Sequence, residues 1–262
     1  MMMQTLVISG GSSGIGKATA MLFAERGWCV FELSRHGRSV NGITHVDCDV
    51  CSEDSCRAAV SQVLKQTDRI DVVISNAGFG ISGAVEFTDI KDAERQMDVN
   101  FMGAVRFTQA VLPQLRQQQN GRIIYTSSVA AALPVPYQAF YSASKAAINA
   151  LALALANEVR AFGIKVSVMM PGDVRTGFTD ARDKSAAGED IYRGANKAIT
   201  TMERDERSGM APEQMARLFY HIATCPNPRP QYVGGFGYRV LCLLDRILPK
   251  RFVNWVEYKT YS

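Results

Sequence analysis

A tyrosine and a lysine four residues apart, in Tyr141-Ser142-Ala143-Ser144-Lys145, are the residues whose spacing most directly invites chemistry. Positions i and i+4 share one helix face, so phenol and ammonium would stand side by side. A free tyrosine, with a pKa of about 10, is a poor base at neutral pH. A lysine cation beside it favours the phenolate and is expected to lower that value. The phenol can then pass a proton to or from an alcohol oxygen. Upstream, Arg122-Ile123-Ile124-Tyr125-Thr126-Ser127-Ser128 reads as a strand that ends in hydroxyls. Ser128 is placed to hydrogen-bond a substrate oxygen and polarise it. A lone Tyr-x-x-x-Lys is by default a surface pair. The serine-tipped strand and a glycine-rich turn give this one its meaning.

That turn is Ser9-Gly10-Gly11-Ser12-Ser13-Gly14-Ile15-Gly16, which follows an apolar strand and opens a helix. Gly10 allows the tight bend, Gly14 lets the backbone approach a pyrophosphate, and Gly16 lets the helix pack on the strand. The helix N-terminus adds free N–H groups and a positive dipole end, so Ser12, Ser13 and Ile15 join the phosphate contacts. The spacing is GxxxGxG rather than GxGxxG. The second strand ends in Leu33-Ser34-Arg35-His36-Gly37-Arg38. NAD enzymes place a carboxylate near here for the ribose 2′-hydroxyl, whereas a 2′-phosphate wants cations. Ser34 takes the carboxylate's place and Arg35 follows, which favours NADP(H), with NAD(H) the alternative. Glu32, on the same strand face as Ser34, is the NAD-type rival. Arg35 and Arg38 in a solvated turn would be the plain alternative.

These groups need a scaffold, and the chain supplies an alternating one. Strands are expected over 5–9, 28–33, 43–46, 70–75, 122–126 and 165–169. Helices are expected over 15–26, 53–65, 92–117 and 139–162. Such alternation means βαβ units, a parallel sheet and helices on both faces. The fold class is therefore α/β, a Rossmann-like doubly wound parallel sheet flanked by helices, as one domain over 1–262. The polar stretch 177–209, after the sixth strand, is read as a helical substrate lid. The tail 232–262 alternates apolar and basic runs.

Bulk properties narrow the classes further. The chain has 262 residues, 47% of them hydrophobic and 21% charged, enough for a large core and against disorder. A net charge of +4, spread along the chain, argues against nucleic acid as a partner. The start lacks a secretory pattern, and no segment is expected to span a bilayer, so a cytoplasmic protein is expected. Cys48, Cys51 and Cys56 lie close together without a nearby histidine; free thiols are expected rather than a metal site.

The ordered set of motifs resembles the short-chain dehydrogenase/reductase family in its shorter single-domain form. The residues that carry the resemblance are the turn 9–16, Asp49-Val50, Asn76-Ala77-Gly78, Asn100, Ser128, Tyr141 to Lys145 and Pro171-Gly172. They span 5 to about 180 in the family's order. The first motif usually opens with threonine, and Ser9 keeps its hydroxyl.

The resemblance implies roles. Asp49 would accept from the adenine amino group, with Val50 beside it. Asn76, Ala77 and Gly78 would shape the adenosine ribose site. Asn100 would distort the long helix and hold a water linking Lys145 to solvent. Ser128 would orient the carbonyl, Tyr141 would transfer the proton, and Lys145 would also hold the nicotinamide ribose. Pro171, Gly172, Val174 and Thr176 would meet the nicotinamide, Thr176 at its carboxamide. The family's NADP-preferring members often carry a basic residue where this chain has Ser13, so only Arg35 of the two basic positions is filled. Singly, Asp49 is equally a cap, Asn76 a turn residue and Asn100 a polar helix position.

The substrate is expected to be a small-molecule carbonyl or alcohol, hydrophobic and steroid-, retinoid- or lipid-like, since the tail resembles those of family members acting on such compounds. Phe79, Ile81, Val85, Leu133, Val135 and Phe178 are the expected apolar pocket. The tail is expected to pack over that pocket or against a partner subunit, with a membrane surface as the less favoured alternative. A homodimer or homotetramer through the two long helices follows from the resemblance. Two other functions share part of this pattern: a catalytically silent NADP-binding sensor or scaffold, and a nucleotide-sugar epimerase or dehydratase. The intact Ser128, Tyr141 and Lys145 set opposes the first, and the short C-terminal region opposes the second.

Overall fold

The computed structural model describes residues 3–40 and 42–261. Seven strands form one sheet: β1 Thr5–Ser9, β2 Cys29–Ser34, β3 Ile43–Asp47, β4 Val72–Ser75, β5 Gly121–Thr126, β6 Ile164–Pro171 and β7 Gln231–Gly234. The order is β3-β2-β1-β4-β5-β6-β7, and every adjacent pair is parallel. β1 and β4 are buried along their whole length because helices cover both faces. The chain winds outward from β1 to β3, then crosses back to β4 and winds the other way. Open α/β sheets bind ligands beyond the carboxyl ends of the strands at such a reversal.

The helices are α1 Gly14–Glu25, α2 Glu53–Leu64, α3 Ile90–Met97, α4 Gly103–Gln118, α5 Ala139–Glu158, α6 Ala195–Arg207, α7 Pro212–Thr224, α8 Phe236–Ile247 and α9 Lys250–Tyr261. One core layer packs Phe107, Leu115, Ile148 and Leu155 of α4 and α5 on Phe31, Ile123 and Tyr125 of the sheet. The other packs Phe23 of α1 and Phe219 of α7 on Ile8, Ile74 and Ile124. Phe23 meets Trp28 and Tyr220 edge-on at 4.9 and 5.1 Å. Cys48 and Cys56 lie in the first layer with their sulfurs 4.0 Å apart.

Several elements differ from expectation. The single helix expected over 92–117 is broken: a π-helical turn, Asp98–Met102, separates α3 from α4. α5 stops at Glu158, and a short 3-10 turn carries the chain to Gly163, whose φ of 68° suits glycine. α7 and β7 were not expected at all. The stretch 177–209 is helical only from Ala195. Before that, Asp183–Lys184 pairs with Ile81–Ser82 in a two-residue parallel ladder. α5, with 20 residues and a mean hydropathy of 1.3, is long and apolar enough to cross a membrane by composition, contrary to expectation. Here it packs on the sheet and buries Ser142, Ser144 and Lys145.

Candidate active site

The glycine turn is set by sterics. Gly10 and Gly14 have φ of 66° and 51°. A Cβ on Gly16 would lie 2.1 Å from the Gly10 carbonyl oxygen, and one on Gly10 would lie 2.8 Å from the Ala77 Cα. Ser13 is the N-cap of α1 but spends no side-chain bond on the cap. The first N–H groups of α1 therefore remain for another acceptor. The Ser9 hydroxyl accepts from the backbone N–H of Asn76 and Ala77, at 3.0 and 3.2 Å. Asn76 Nδ2 donates to the Gly10 carbonyl at 3.0 Å, and Thr126 donates to Asn76 Oδ1 at 3.1 Å. The ends of β1, β4 and β5 are thus tied into one floor. Bare backbone in left-handed conformation, beside a helix N-terminus, is the cradle a pyrophosphate needs, so the residues present fit a dinucleotide.

At the β2 end, Ser34 is half-buried; Arg35 is exposed, and its side chain has no hydrogen bond or ion pair among the described residues. Glu32 is 2% exposed and turned inward, bonded to the His45 ring and to the Ser34 hydroxyl at 3.4 Å. Asp49 Oδ1 accepts from Cys51 N at 3.0 Å, so it does cap its own turn; Val50 is buried against Gly103.

The proton-handling groups converge on a cavity of about 840 Å³. Ser128, Tyr141 and Lys145 line it together with Gly10, Ser13, Gly14, Ile15, Asn76, Ala77 and Gly78. Pro171, Gly172, Val174 and Thr176 line it as well. Ser12, Gly16, Ser34, Arg35, Asp49 and Val50 do not, and lie outside it. Lys145 Nζ donates to the Thr126 carbonyl at 3.0 Å and stands 5.7 Å from the centre of the Tyr141 ring. Ser128 accepts from Ala130 N at 3.1 Å, which fixes its rotamer at the strand tip.

Asn100 sits in the π-helical turn, 1% exposed. Its Oδ1 accepts from Phe79 N, and its Nδ2 donates to the Phe79 carbonyl and to Ser144, each at 3.0 Å. Ser144 in turn donates to the Tyr141 carbonyl at 2.7 Å. Asn100 therefore reaches Tyr141 through Ser144. A Cβ on Gly78 would lie 3.0 Å from Asn100 Oδ1 and 3.5 Å from Lys145 Nζ, so a side chain here would press on Asn100.

The electrostatics correct one expectation. Burial pushes the Tyr141 phenol up to about 12, outweighing the Ser128 hydroxyl beside it, which pulls the other way. Glu206 and Asp173 add to the rise, and Arg182 opposes it. Burial alone draws the Lys145 ammonium down to about 8. Burial therefore outweighs the lowering expected from the Lys145 charge, and the phenol is the favoured form at neutral pH.

Phe79, Leu133, Val135 and Phe178 line the cavity as expected. Ile81 is instead core, 5% exposed, and Val85 is 57% exposed outside the cavity. The Phe178 ring lies 5.7 Å from that of Tyr141, and the buried Arg182 guanidinium lies 5.6 Å from the centre of the Phe178 ring. Arg182 pairs with Glu206, which also accepts from Thr179 at 2.7 Å. Sequence reasoning placed the tail over the pocket, as α8 and α9 are, but missed Arg182, Glu206 and the individual wall residues Leu241, Leu244, Phe252 and Val256. Tyr238 of α8 lies over Gly172, where a Cβ would be 2.1 Å from its ring, and its hydroxyl donates to Asp173. The bare Gly172 facing an aromatic was the only local signal for that contact.

A family model for short chain dehydrogenases matches residues 4–187. A 3-ketodihydrosphingosine reductase from Bacteroides thetaiotaomicron is 39% identical, over 86% of this chain and 85% of that protein. An 11-beta-hydroxysteroid dehydrogenase A from Sesamum indicum is 31% identical, over 80% of this chain and 61% of that protein. The crystal structure of a short-chain dehydrogenase from Streptomyces avermitilis superposes with a TM-score of 0.85 and 25% identity, covering 99% of this chain and 98% of that one. The chain therefore belongs to the short-chain dehydrogenase/reductase family of oxidoreductases, which interconvert carbonyl and alcohol groups.

Proposed function

We propose that the protein uses NADPH to reduce the ketone of a long-chain lipid to a secondary alcohol. The observation that carries this is one cavity holding Ser128, Tyr141 and Lys145 at one end of a largely apolar wall, next to the glycine turn. The turn 9–16 would hold the pyrophosphate, Arg35 the 2′-phosphate, and Lys145 the nicotinamide ribose. NADPH would supply the hydride for the carbonyl carbon. The chain's own part is the proton. The Ser128 hydroxyl donates to the carbonyl oxygen, and Tyr141 Oη gives that oxygen its proton as it becomes an alkoxide. The Lys145 charge stabilises the phenolate left behind. Asn100, through Ser144 and the Phe79 backbone, keeps Tyr141 and the loop at Gly78 in register.

Two features support the lipid. The apolar wall from α8 and α9 suits an alkyl chain, and a relative named for a keto sphingoid base is 39% identical. Asp173, Asp205, Glu206, Asp245 and Glu257 also line the cavity, which suits a cationic head such as the amine of a 3-keto sphingoid base. A homo-oligomer through the outer faces of α4 and α5 completes the proposal, and sedimentation as a strict monomer would reject that part.

The test is titration with NADPH and NADH by calorimetry, followed by turnover of a ketone panel. Reduction of long-chain ketones with NADPH supports the proposal. Turnover of small charged polyols alone would overturn it.

A further inference from the structure

Eighteen large hydrophobic side chains are exposed among the described residues, and ten of them lie in α8 and α9. Phe236, Leu243, Ile247, Trp255 and Tyr258 are each more than half exposed. Cys242 is the only buried residue in either helix. A helix pair that hides one side chain and shows ten apolar ones lacks its partner.

Charge identifies that partner. Arg239, Arg246, Lys250, Arg251 and Lys259 are all exposed on the same two helices. The two carboxylates of this segment, Asp245 and Glu257, are less exposed and line the cavity. Five cations against two carboxylates leave +3 on the segment. A second copy docking through the same surface would set +3 against +3. It would also cover Leu241, Leu244, Phe252 and Val256, which are exposed and at the same time line the cavity, and so frame its mouth.

We propose that α8 and α9 lie in the interface of an anionic phospholipid bilayer and present the cavity mouth to the lipid. Apolar and aromatic side chains enter the acyl boundary while the arginines and lysines meet headgroup phosphates. The tail supplies a wall of the pocket, as expected from the sequence, and still leaves its outward apolar surface uncovered. The docking surface stands without the proposed substrate. The further step, that a lipid ketone enters directly from the bilayer, rests on that reading.

The experiment is flotation of the full chain with vesicles of mixed phosphatidylglycerol and phosphatidylcholine, against phosphatidylcholine alone. Trp255 serves as an internal probe, since the other tryptophan, Trp28, is already in the core at 7% exposure. The native protein floats with the anionic vesicles, its emission shifts to the blue, and high salt weakens the binding. Leu243→Glu with Ile247→Glu abolishes flotation. Arg251→Glu with Lys259→Glu weakens it by about tenfold or more. Both variants keep native turnover of a small soluble ketone. Failure of the native protein to float overturns the proposal. So does a native dimer that Leu243→Glu with Ile247→Glu converts to a monomer, which would make this face a subunit interface. Flotation without turnover of any long-chain ketone would sink the proposed substrate and leave the docking intact.

Discussion

α5 and the pair α8–α9 both contribute to the wall of one cavity, yet they are built differently. α5 buries three polar groups on its catalytic turn, and each has a named partner. Ser142 accepts from Val135 N at 3.3 Å, Ser144 bonds Asn100 and the Tyr141 carbonyl, and Lys145 bonds the Thr126 carbonyl. A buried polar group left unpaired is costly, so these bonds allow few other arrangements. α8 and α9 bury one residue, and side-chain bonds such as Tyr238 to Asp173, Arg239 to the Val233 carbonyl and Arg246 to Gln231 hold α8. The difference separates two jobs. The inner helix fixes the chemistry, and the outer pair decides what reaches it. Substitutions in α5 should therefore act on kcat, and substitutions in the tail on KM or on binding to lipid.

The strongest challenge to that division is Tyr141→Phe. It removes the proton donor and leaves the ring packed on Phe178. Turnover should fall by about a thousandfold or more, as loss of a positioned acid does. Affinity for NADPH by calorimetry should stay within about twofold, because the turn and Arg35 are untouched. Normal turnover by this variant would remove Tyr141 from the mechanism.

Lys145 gives the comparison a pH axis. Its ammonium carries charge below about 8 and loses it above. Tyr141, held up to about 12, stays protonated across that range. The reductive kcat should therefore be flat at neutral pH and fall as pH rises through about 8. A profile unchanged to pH 10 would mean the charge is not used. Stability should move the opposite way. The folded chain binds fewer protons at Lys145 than the unfolded chain between about 8 and the ordinary lysine value. Stability from this group therefore rises with pH across that window and is lost as pH falls through about 8. Lys145→Met should abolish turnover and flatten this part of the thermal-stability profile.

What the sequence shows follows the same division. Tyr141, Lys145, Ser128 and the glycine turn were legible because their chemistry is local: fixed spacing on one helix, or a bend that only glycine permits. The parallel sheet was legible through its apolar runs as far as β6. β7 was not, since Gln231-Tyr232-Val233-Gly234 is four residues long and becomes a strand only by pairing with β6. The distortion at Asn100 was expected from the resemblance, but its form, a π-helical turn held through Phe79, 21 residues away, was not legible. Which tail residues form the cavity wall was hidden for a related reason. Leu241 and Phe252 look like core residues in sequence, and nothing local says that one side of each faces a substrate and another faces outward.

Arg35→Asp tests how far the cofactor end is independent of both helices. Arg35 is exposed and unbonded among the described residues, so its removal disturbs no packing. Affinity for NADPH should weaken by about ten- to a hundredfold, the scale expected for losing a charge-assisted phosphate contact. NADH affinity should change little, and calorimetric titration with both reads the ratio directly. An unchanged ratio would place the 2′-phosphate elsewhere or leave Glu32 as the discriminating group.

The smallest effect is expected from Tyr238→Phe, and it probes the join between the two regions. The substitution keeps the ring over Gly172 and removes only the hydroxyl that donates to Asp173. Burial already pushes the Asp173 carboxyl up, and the Tyr238 bond pulls it down, so the variant should leave Asp173 more readily protonated. α8 would then be held by its remaining bonds and swing more freely at the cavity. KM for a long-chain ketone should rise by about three- to tenfold, the scale of one hydrogen bond, while kcat holds. The rise should shrink for short ketones that never reach the α8–α9 wall, so KM measured against chain length is the decisive plot. A fall in kcat with KM unchanged would mean that the tail positions the reacting groups themselves, and the separation of chemistry from access would not hold.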